Sequence, residues 1–246
     1  MFLLPYAAPY DALLYALFGL DLALLIGGLA FGRPAADGSG RLPLGVRMSL
    51  SAILVVAALA QWRLAAGSPV GAYGGWVCLG MALGFLGDLI MANLIRVPDR
   101  LVFGMLVFGL GHIAYLAALV GLAHTLQLWS GPLYLGVWAL LVAIGVGLWY
   151  SLVQKPGGDR VQNAGALVYS LLMASMNALA IGLALGSERF IPLAVGAVLF
   201  LTSDLVLGNW NIRGHHWKGV NDVVWVTYNL GQLLIVYSVA SAVHLA

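Results

Sequence analysis

Charged residues are scarce in this sequence of 246 residues. Only 8% are Asp, Glu, Lys or Arg, 62% are hydrophobic, and the mean hydropathy is +0.99. A soluble domain carries about 25% charged residues. The shortage of charge therefore excludes an ordinary soluble domain and indicates a polytopic integral membrane protein that has the lipid bilayer as a partner. The net charge is only +2, and the basic residues are spread over the loops, so we expect no nucleic-acid partner.

Residue types that serve cofactor and metal chemistry are also scarce. The one cysteine, Cys78, excludes an intrachain disulfide and a cysteine zinc cluster. The only lysines, Lys155 and Lys218, fall between the apolar runs, which argues against a retinal protein because its Schiff-base lysine must lie inside a helix. A zinc hydrolase needs several intramembrane histidines, and only His112 is deep in an apolar run. We therefore expect no metal and no cofactor.

Long apolar runs are what the sequence has instead. A helix needs about 20 apolar residues to cross the hydrocarbon core of a bilayer, and the chain has eight such segments, separated by short loops. No basic segment precedes the first one, so we expect no cleavable signal peptide. We predict an all-α polytopic membrane protein with a single domain over residues 1–246. Its helices are predicted at about 9–31, 44–62, 70–93, 101–122, 132–152, 161–185, 190–209 and 221–243.

The basic residues are distributed unevenly between the two sides of the membrane. The loops after the odd-numbered helices, with their flanks, hold nine of the 11 Lys and Arg residues, and the opposite side holds only Arg63 and Arg189. Because cytoplasmic loops carry the excess of Lys and Arg, we predict that both termini are non-cytoplasmic. If the protein is bacterial, we expect it in the cytoplasmic (inner) membrane.

Two carboxylates, Asp88 and Asp204, occur in matching contexts near the ends of helices three and seven. Each Asp-Leu is followed by two large apolar residues, a small residue and Asn, and the two acids are 116 positions apart. Leu110-Gly111-His112 matches Leu230-Gly231-Gln232 at an offset of 120. Four helices separate each pair. The matches suggest a four-plus-four parallel internal repeat about an axis along the membrane normal.

Intramembrane polar side chains concentrate in the cytoplasmic half of the predicted bilayer. From the helical rise, Asp88 and Asp204 lie roughly 8 Å inside their helix ends and His112 roughly 16 Å inside. Charges are costly at such depths, so these residues are candidates for a functional site. One polar cavity open toward the cytoplasm would satisfy them all. The candidates are Asp21, Arg47, Asp88, His112, Tyr115, Asp204, Tyr228 and Gln232.

Each candidate also has a purely structural interpretation. Either carboxylate could be structural, paired with Arg47 or hydrogen-bonded by Tyr228. Arg47 could instead extend to the interface, and His112 or Asp21 could make a bond between helices. At the level of the whole protein, intramembrane acids also fit a transporter or a lipid-binding protein.

Two neighbouring carboxylates suit acid–base chemistry. Burial favours the neutral acid, and a neighbouring carboxylate strengthens that preference in one member of the pair. One protonated and one ionised group can donate a proton and then stabilise an oxocarbenium-like cation or activate water. We predict that Asp88 and Asp204 form such a catalytic pair.

Four motifs, taken in their order and spacing over helices two to eight, carry a resemblance to a known family. They are Leu86-Gly87-Asp88, Phe108-Gly109-Leu110-Gly111-His112-Ile113-Ala114-Tyr115, Gly196-Ala197-Val198-Leu199-Phe200 with Ser203-Asp204, and Tyr228-Asn229-Leu230-Gly231-Gln232-Leu233-Leu234-Ile235. The chain resembles the YhhN-like family of transmembrane lysoplasmalogenases. The resemblance implies an eight-helix hydrolase that cleaves the vinyl-ether bond of a lysophospholipid substrate, lysoplasmalogen. The products would be a fatty aldehyde and glycerophosphoethanolamine or glycerophosphocholine.

The roles of individual residues follow as expectations from this reaction. Asp88 and Asp204 would share the acid and base roles, and His112 would position water or the acid. The chain departs from the family pattern in having Arg47-Met48 where Lys-Pro is expected, and in the His215-His216 pair of its seventh loop. Arg47 would hold the head-group phosphate. The predicted substrate-binding residues are Asp21, Arg47, Tyr115, Tyr228, Asn229 and Gln232.

Overall fold

The computed structural model describes residues 5–246. Over this range the chain forms eight α-helices and no strand, and each helix is long and apolar enough to cross a membrane. These helices confirm the predicted all-α polytopic membrane fold. Their bounds are α1 Tyr10–Phe31, α2 Leu44–Ala65, α3 Gly71–Met91, α4 Arg100–Thr125, α5 Gly131–Leu148, α6 Arg160–Gly186, α7 Ile191–Gly208 and α8 Val220–Val243.

Several helix ends differ from the predicted ones by a few residues. α2 continues to Ala65 and α4 to Thr125, beyond the expected ends at 62 and 122. Apolar runs mark only the hydrocarbon core, whereas a helix can continue into the interface with its long charged side chains in water. α5 and α7 are each followed by a π-helical turn, Trp149–Val153 and Asn209–Arg213.

The two π-helical turns contact each other. Asn209 Nδ2 donates to the carbonyl oxygen of Leu152 at 2.6 Å, and the Arg213 guanidinium donates to the carbonyl oxygens of Tyr150, Ser151 and Gln154. These donors satisfy carbonyl groups that the wide turn leaves unpaired at the end of α5. The end of α7 is thereby tied to the end of α5.

Polar residues lie at the ends of several helices. The Asp99 side chain accepts hydrogen bonds from the backbone amides of Leu101 and Val102 at the start of α4, and Asp159 caps α6 in the same manner. Past the end of α3, Asn93 adopts a φ of 60°. Asparagine tolerates this left-handed conformation better than most residues, which suits it to a helix end.

Six of the eight helices form a closed ring. In order around the ring, α2 packs on α3, α3 on α4, α4 on α6, α6 on α7, α7 on α8, and α8 on α2. α1 lies outside the ring against α2 and α8, and α5 lies outside against α6. The loops that follow α1, α3, α5 and α7 share one end of the ring, which we call the odd-loop end. The internal repeat and the membrane side of each end stay predictions.

Glycines allow a close contact between α7 and α8. A Cβ atom at Gly196 of α7 would lie 2.8 Å from the carbonyl oxygen of Gly231 on α8, and one at Gly231 would lie 2.8 Å from the carbonyl oxygen of Gly196. Backbone therefore touches backbone, as small residues permit in membrane helix pairs. This contact fixes the spacing of α7 and α8.

Candidate functional site

A cavity of about 330 Å³ opens at the odd-loop end, inside the ring of helices. Both predicted catalytic carboxylates line it, so the structure brings Asp88 and Asp204 to one site. Arg47 and Tyr228 line the same cavity, and so does Arg100, which is not among the predicted site residues. A polar cavity at this depth is the arrangement that the intramembrane polar residues require.

Asp88 is buried on α3 and is held by two hydroxyl groups. Ser51 Oγ on α2 donates to Asp88 Oδ2 at 2.5 Å, and the Tyr228 hydroxyl on α8 donates to the same oxygen at 2.9 Å. Asp88 is 6% exposed. An ionised carboxylate accepts hydrogen bonds only, so both hydroxyl groups can donate to one Asp88 oxygen.

Asp204 on α7 is more open and has different partners. Its side chain is 15% exposed, and its Oδ2 lies 2.6 Å from the Tyr169 hydroxyl oxygen on α6. The same hydroxyl lies 2.8 Å from His112 Nε2 on α4. The His112 ring is 3.9 Å from Asp204 Oδ2, beyond hydrogen-bond distance, so Tyr169 links the two. The other ring nitrogen, Nδ1, lies 3.4 Å from Met176 Sδ.

Basic and acidic groups meet at the mouth of the cavity. The Arg47 guanidinium carbon lies 5.6 Å from the centre of the Trp225 ring, a cation–π contact that keeps the side chain in the cavity wall. Asp37, in the loop after α1, also lines the cavity. The backbone amide of Ser39 donates to its carboxylate at 2.9 Å and lowers the pKa of Asp37. The mouth therefore carries positive and negative charge at neutral pH.

A second, apolar cavity of about 60 Å³ adjoins the first. Asp204, Met91, Phe108 and Leu207 line both cavities. The apolar cavity lies between α4, α6 and α7, and its remaining lining is mostly aliphatic and Met side chains. Asp204 thus stands where polar and apolar cavities meet.

Tyr115 and Gln232 line neither of these cavities. The Tyr115 hydroxyl donates to Gln232 Oε1 at 2.7 Å, and both residues are buried. A Cβ atom at Gly84 would lie 3.1 Å from Gln232 Nε2 and 3.3 Å from the Tyr228 hydroxyl oxygen. The pair therefore packs behind Tyr228, one layer away from Asp88.

Asp21 and Asn229 are not brought to the cavity. Asn229 Nδ2 donates to Asp21 Oδ2 at 2.7 Å, and both side chains are fully buried between α1 and α8. Neither residue lines either cavity. Their depth matched that of the other candidates, but depth alone does not determine the direction of a side chain.

Two residues that contact the carboxylates were not predicted from the sequence. Ser51 lies four positions after Arg47 on α2, hence on the same helix face, and this spacing could have identified it. Tyr169 had no such signal. With both included, each helix of the ring supplies at least one polar group to the hydrogen-bond network around the two carboxylates. These are Ser51, Asp88, His112, Tyr169, Asp204 and Tyr228, from α2, α3, α4, α6, α7 and α8.

Among residues 5–246, no group of three or more His, Cys, Asp and Glu side chains lies close enough together to hold a metal ion. The available polar groups are instead carboxylates, hydroxyls, one imidazole and guanidinium groups. They can donate, accept and relay protons and bind an anion.

Fold and site together define a polytopic membrane protein with a carboxylate pair in a cavity inside a six-helix ring. The model of the YhhN family matches residues 43–239, which is most of the chain. The protein belongs to the YhhN family. No curated protein and no solved structure matches the chain.

Proposed function

We propose that the protein is a membrane hydrolase that cleaves the vinyl-ether bond of lysoplasmalogens. The observation that carries the proposal is the pair of carboxylates, Asp88 and Asp204, lining one cavity with different hydrogen-bond partners. An acid and a base in one site are what this hydrolysis needs. The resemblance of the chain to transmembrane lysoplasmalogenases supports the substrate class.

The reaction needs two carboxyl groups and one water molecule. The protonated carboxyl group gives its proton to the β-carbon of the vinyl ether, which leaves an oxocarbenium ion and a carboxylate. Water adds to the cationic carbon while the second carboxylate accepts a proton from it, forming a hemiacetal. That second group then protonates the ether oxygen, and the hemiacetal hydroxyl returns its proton to the first. The C–O bond breaks to give the aldehyde and the glycerol hydroxyl, and both carboxyl groups are restored.

The two adjoining cavities suit the two ends of such a substrate. Arg47, at the mouth, would bind the phosphate of the head group as a charged, multidentate donor. The first carbons of the alkenyl chain would enter the apolar side beside Asp204, and the rest of the chain would lie between helices toward the centre of the bilayer. Tyr228 would hold Asp88, with Gln232 behind it.

The test measures free aldehyde released by the purified protein from a lyso-vinyl-ether phospholipid. The saturated-ether and ester analogues serve as substrate controls. Asp88→Asn and Asp204→Asn should each lower the rate by about 10²–10⁴-fold, the usual range for loss of a general acid or base. Asp159→Asn is the matched control, because Asp159 caps α6 outside the cavity and Asn caps helices equally well. Full activity in either cavity variant would refute the proposed roles.

A folded wild-type protein that releases no aldehyde would favour transport or lipid binding instead. Flux assays in liposomes and lipid-binding assays would then separate these two functions. The cavity opens at one end of the ring, which is one reason to test hydrolysis first.

A further inference from the structure

His112, Tyr169 and Asp204 form a chain of three groups that share a limited number of hydrogen atoms. The Tyr169 hydroxyl oxygen lies 2.8 Å from His112 Nε2 and 2.6 Å from Asp204 Oδ2. Both separations are hydrogen bonds. A tyrosine hydroxyl has one hydrogen, so it can donate in only one of these two bonds. The other bond must take its hydrogen from His112 or from Asp204.

Met176 indicates where the hydrogen on the His112 ring lies. His112 Nδ1 is 3.4 Å from Met176 Sδ, and the two residues are 1% and 0% exposed. A thioether sulfur can accept a hydrogen bond but has no hydrogen to donate. The contact is a hydrogen bond only if Nδ1 carries the hydrogen, and a bare Nδ1 facing sulfur would leave a buried acceptor unpaired, which is unfavourable.

The position of that hydrogen sets the rest of the chain. In a neutral His112 ring with its hydrogen on Nδ1, Nε2 is an acceptor, and the Tyr169 hydroxyl donates to it. The single hydroxyl hydrogen of Tyr169 then lies in the bond to His112 and cannot be donated to Asp204. With the ring neutral, the hydrogen between the Tyr169 oxygen and Asp204 Oδ2 belongs to Asp204, which makes Asp204 a protonated carboxylic acid in the resting site. A doubly protonated ring would instead donate from Nε2 and leave Asp204 ionised, at the cost of placing an ion pair inside the protein.

Asp88 has the opposite hydrogen-bond pattern. Its Oδ2 accepts hydrogen bonds from two hydroxyl groups, that of Ser51 at 2.5 Å and that of Tyr228 at 2.9 Å. An ionised carboxylate is acceptor-only and satisfies both donors at once. The two carboxyl groups thus differ in the way that one acid and one base require.

We infer that Asp204 is the acid that protonates the substrate and Asp88 is the base that activates water, with Tyr169 and Met176 as positioning residues. This inference rests on the proposed hydrolysis. When the Asp204 proton moves to the β-carbon, the hydrogen of Tyr169 turns from His112 Nε2 to the new carboxylate. When the hemiacetal returns a proton to Asp204, the Tyr169 hydrogen turns back. Only the rotation of one hydroxyl group is needed to give Asp204 a partner in both states.

The first test locates the hydrogen on His112 without substrate. Protein labelled with ¹⁵N-histidine is studied by NMR near neutral pH, and the His112 signals are assigned as those lost in His112→Gln. We expect a neutral ring with its hydrogen on Nδ1. A hydrogen on Nε2, or on both nitrogens, would overturn the inference. Met176→Leu, which keeps the volume but removes the sulfur acceptor, should shift the ring toward the Nε2–H form.

The second test identifies the protonated carboxyl group by infrared spectroscopy. The carbonyl band of a buried carboxylic acid should disappear in Asp204→Asn and remain in Asp88→Asn. The reverse pattern would interchange the two roles and refute the assignment.

A kinetic test then connects Tyr169 to the reaction. Tyr169→Phe should lower kcat by roughly 10–100-fold, less than the about 10²–10⁴-fold for loss of the acid or base itself, with KM changed less than about twofold. An unchanged kcat would overturn the role of Tyr169. The spectra need no turnover, so a failure of the proposed hydrolysis can be distinguished from a failure of the proposed acid and base roles. A wild-type protein without aldehyde release refutes the hydrolysis, whereas an active protein with the wrong tautomer refutes only the assignment of roles.

Discussion

Ser51 and Tyr169 hold equivalent positions beside the two carboxylates. The Ser51 hydroxyl is bonded to Asp88 Oδ2 at 2.5 Å and the Tyr169 hydroxyl to Asp204 Oδ2 at 2.6 Å. The two residues are 118 positions apart, close to the 116 that separate the aspartates. Each one comes from the helix that precedes its aspartate in the same half of the chain. This correspondence supports the four-plus-four repeat, which stays a prediction.

Replacing Ser51 by Ala should slow catalysis while leaving the protein folded. The substitution removes one of the two donors to Asp88, and a hydrogen bond to a charged group contributes about 1.5–3 kcal/mol. We expect kcat to fall roughly 10–100-fold, since about 1.4 kcal/mol corresponds to tenfold in rate. Ser175→Ala is the control, because Ser175 bonds to Leu171 and Trp138 away from the carboxylates. Wild-type kcat in Ser51→Ala would show that this donor has no role.

Replacing Arg47 by Gln should weaken substrate binding more than it slows turnover. If the guanidinium holds the head-group phosphate equally in ground and transition states, KM rises and kcat changes little. We expect KM to rise about tenfold or more, as loss of a charge-assisted bond predicts. Arg63→Gln is a close control, because Arg63 also lies over a tryptophan, with its guanidinium carbon 5.5 Å from the Trp62 ring centre, but does not line the cavity. Equal effects of both substitutions would contradict a specific phosphate contact.

Gly231→Ala should destabilise the fold. The added methyl group would lie 2.8 Å from the carbonyl oxygen of Gly196 and 2.9 Å from the backbone nitrogen of Phe200, and backbone atoms cannot move aside easily. We expect a loss of about 1–3 kcal/mol, as for other overpacked sites, seen as a lower melting temperature in detergent. Gly121→Ala should have no such cost because nothing lies within 4 Å of the new atom. Equal melting temperatures of the two variants would be evidence against the close α7–α8 contact.

Asp99 should make stability depend on pH in the acid range. The backbone amide of Val102, with smaller contributions from the Gln162 side chain and the Leu101 amide, lowers the pKa of Asp99. A carboxyl group whose folded pKa is lowered stabilises the protein above its ordinary pKa of about 3.9, and this contribution is lost as pH falls through the folded pKa. Asp99→Asn keeps a capping oxygen but cannot titrate.

Thermal unfolding over a range of pH compares the two forms. The melting temperature of wild-type protein should exceed that of Asp99→Asn at neutral pH, and the difference should vanish as the pH falls below about 3.9. A difference that is constant with pH would mean that the charge of Asp99 contributes nothing.

The membrane fold could be predicted from the sequence alone. Only helices and closed barrels satisfy their backbone polar groups inside lipid, so eight long apolar runs already determine eight spanning helices. The helix ends were less predictable. α2 and α4 extend past Arg63 and His124, residues that interrupt an apolar run but not a helix.

The site could be predicted only in part. Asp88 and Asp204 stand out because carboxylates are rare in apolar runs. Ser51 and Tyr169 do not, since hydroxyl residues carry no charge and an all-round apolar helix does not reveal which face points inward. Asp21 was included among the predicted substrate-binding residues for the same reason. Its depth could be estimated from the sequence, but the direction of its side chain could not. Which side chains meet depends on the rotation of each helix, and that is set by packing between helices.

The contact between Gly196 and Gly231 has a consequence for electrostatics. Asp204 lies two turns beyond Gly196, and Tyr228 lies one turn before Gly231, so both site residues are carried by backbones that touch. Dipoles carried by these two helices, such as the Tyr228 hydroxyl, need little reorientation when charge moves through the site, which leaves the Tyr169 hydroxyl on α6 as the group that turns. In water, reorientation of dipoles is a large part of the activation barrier, and a preorganised frame lowers it.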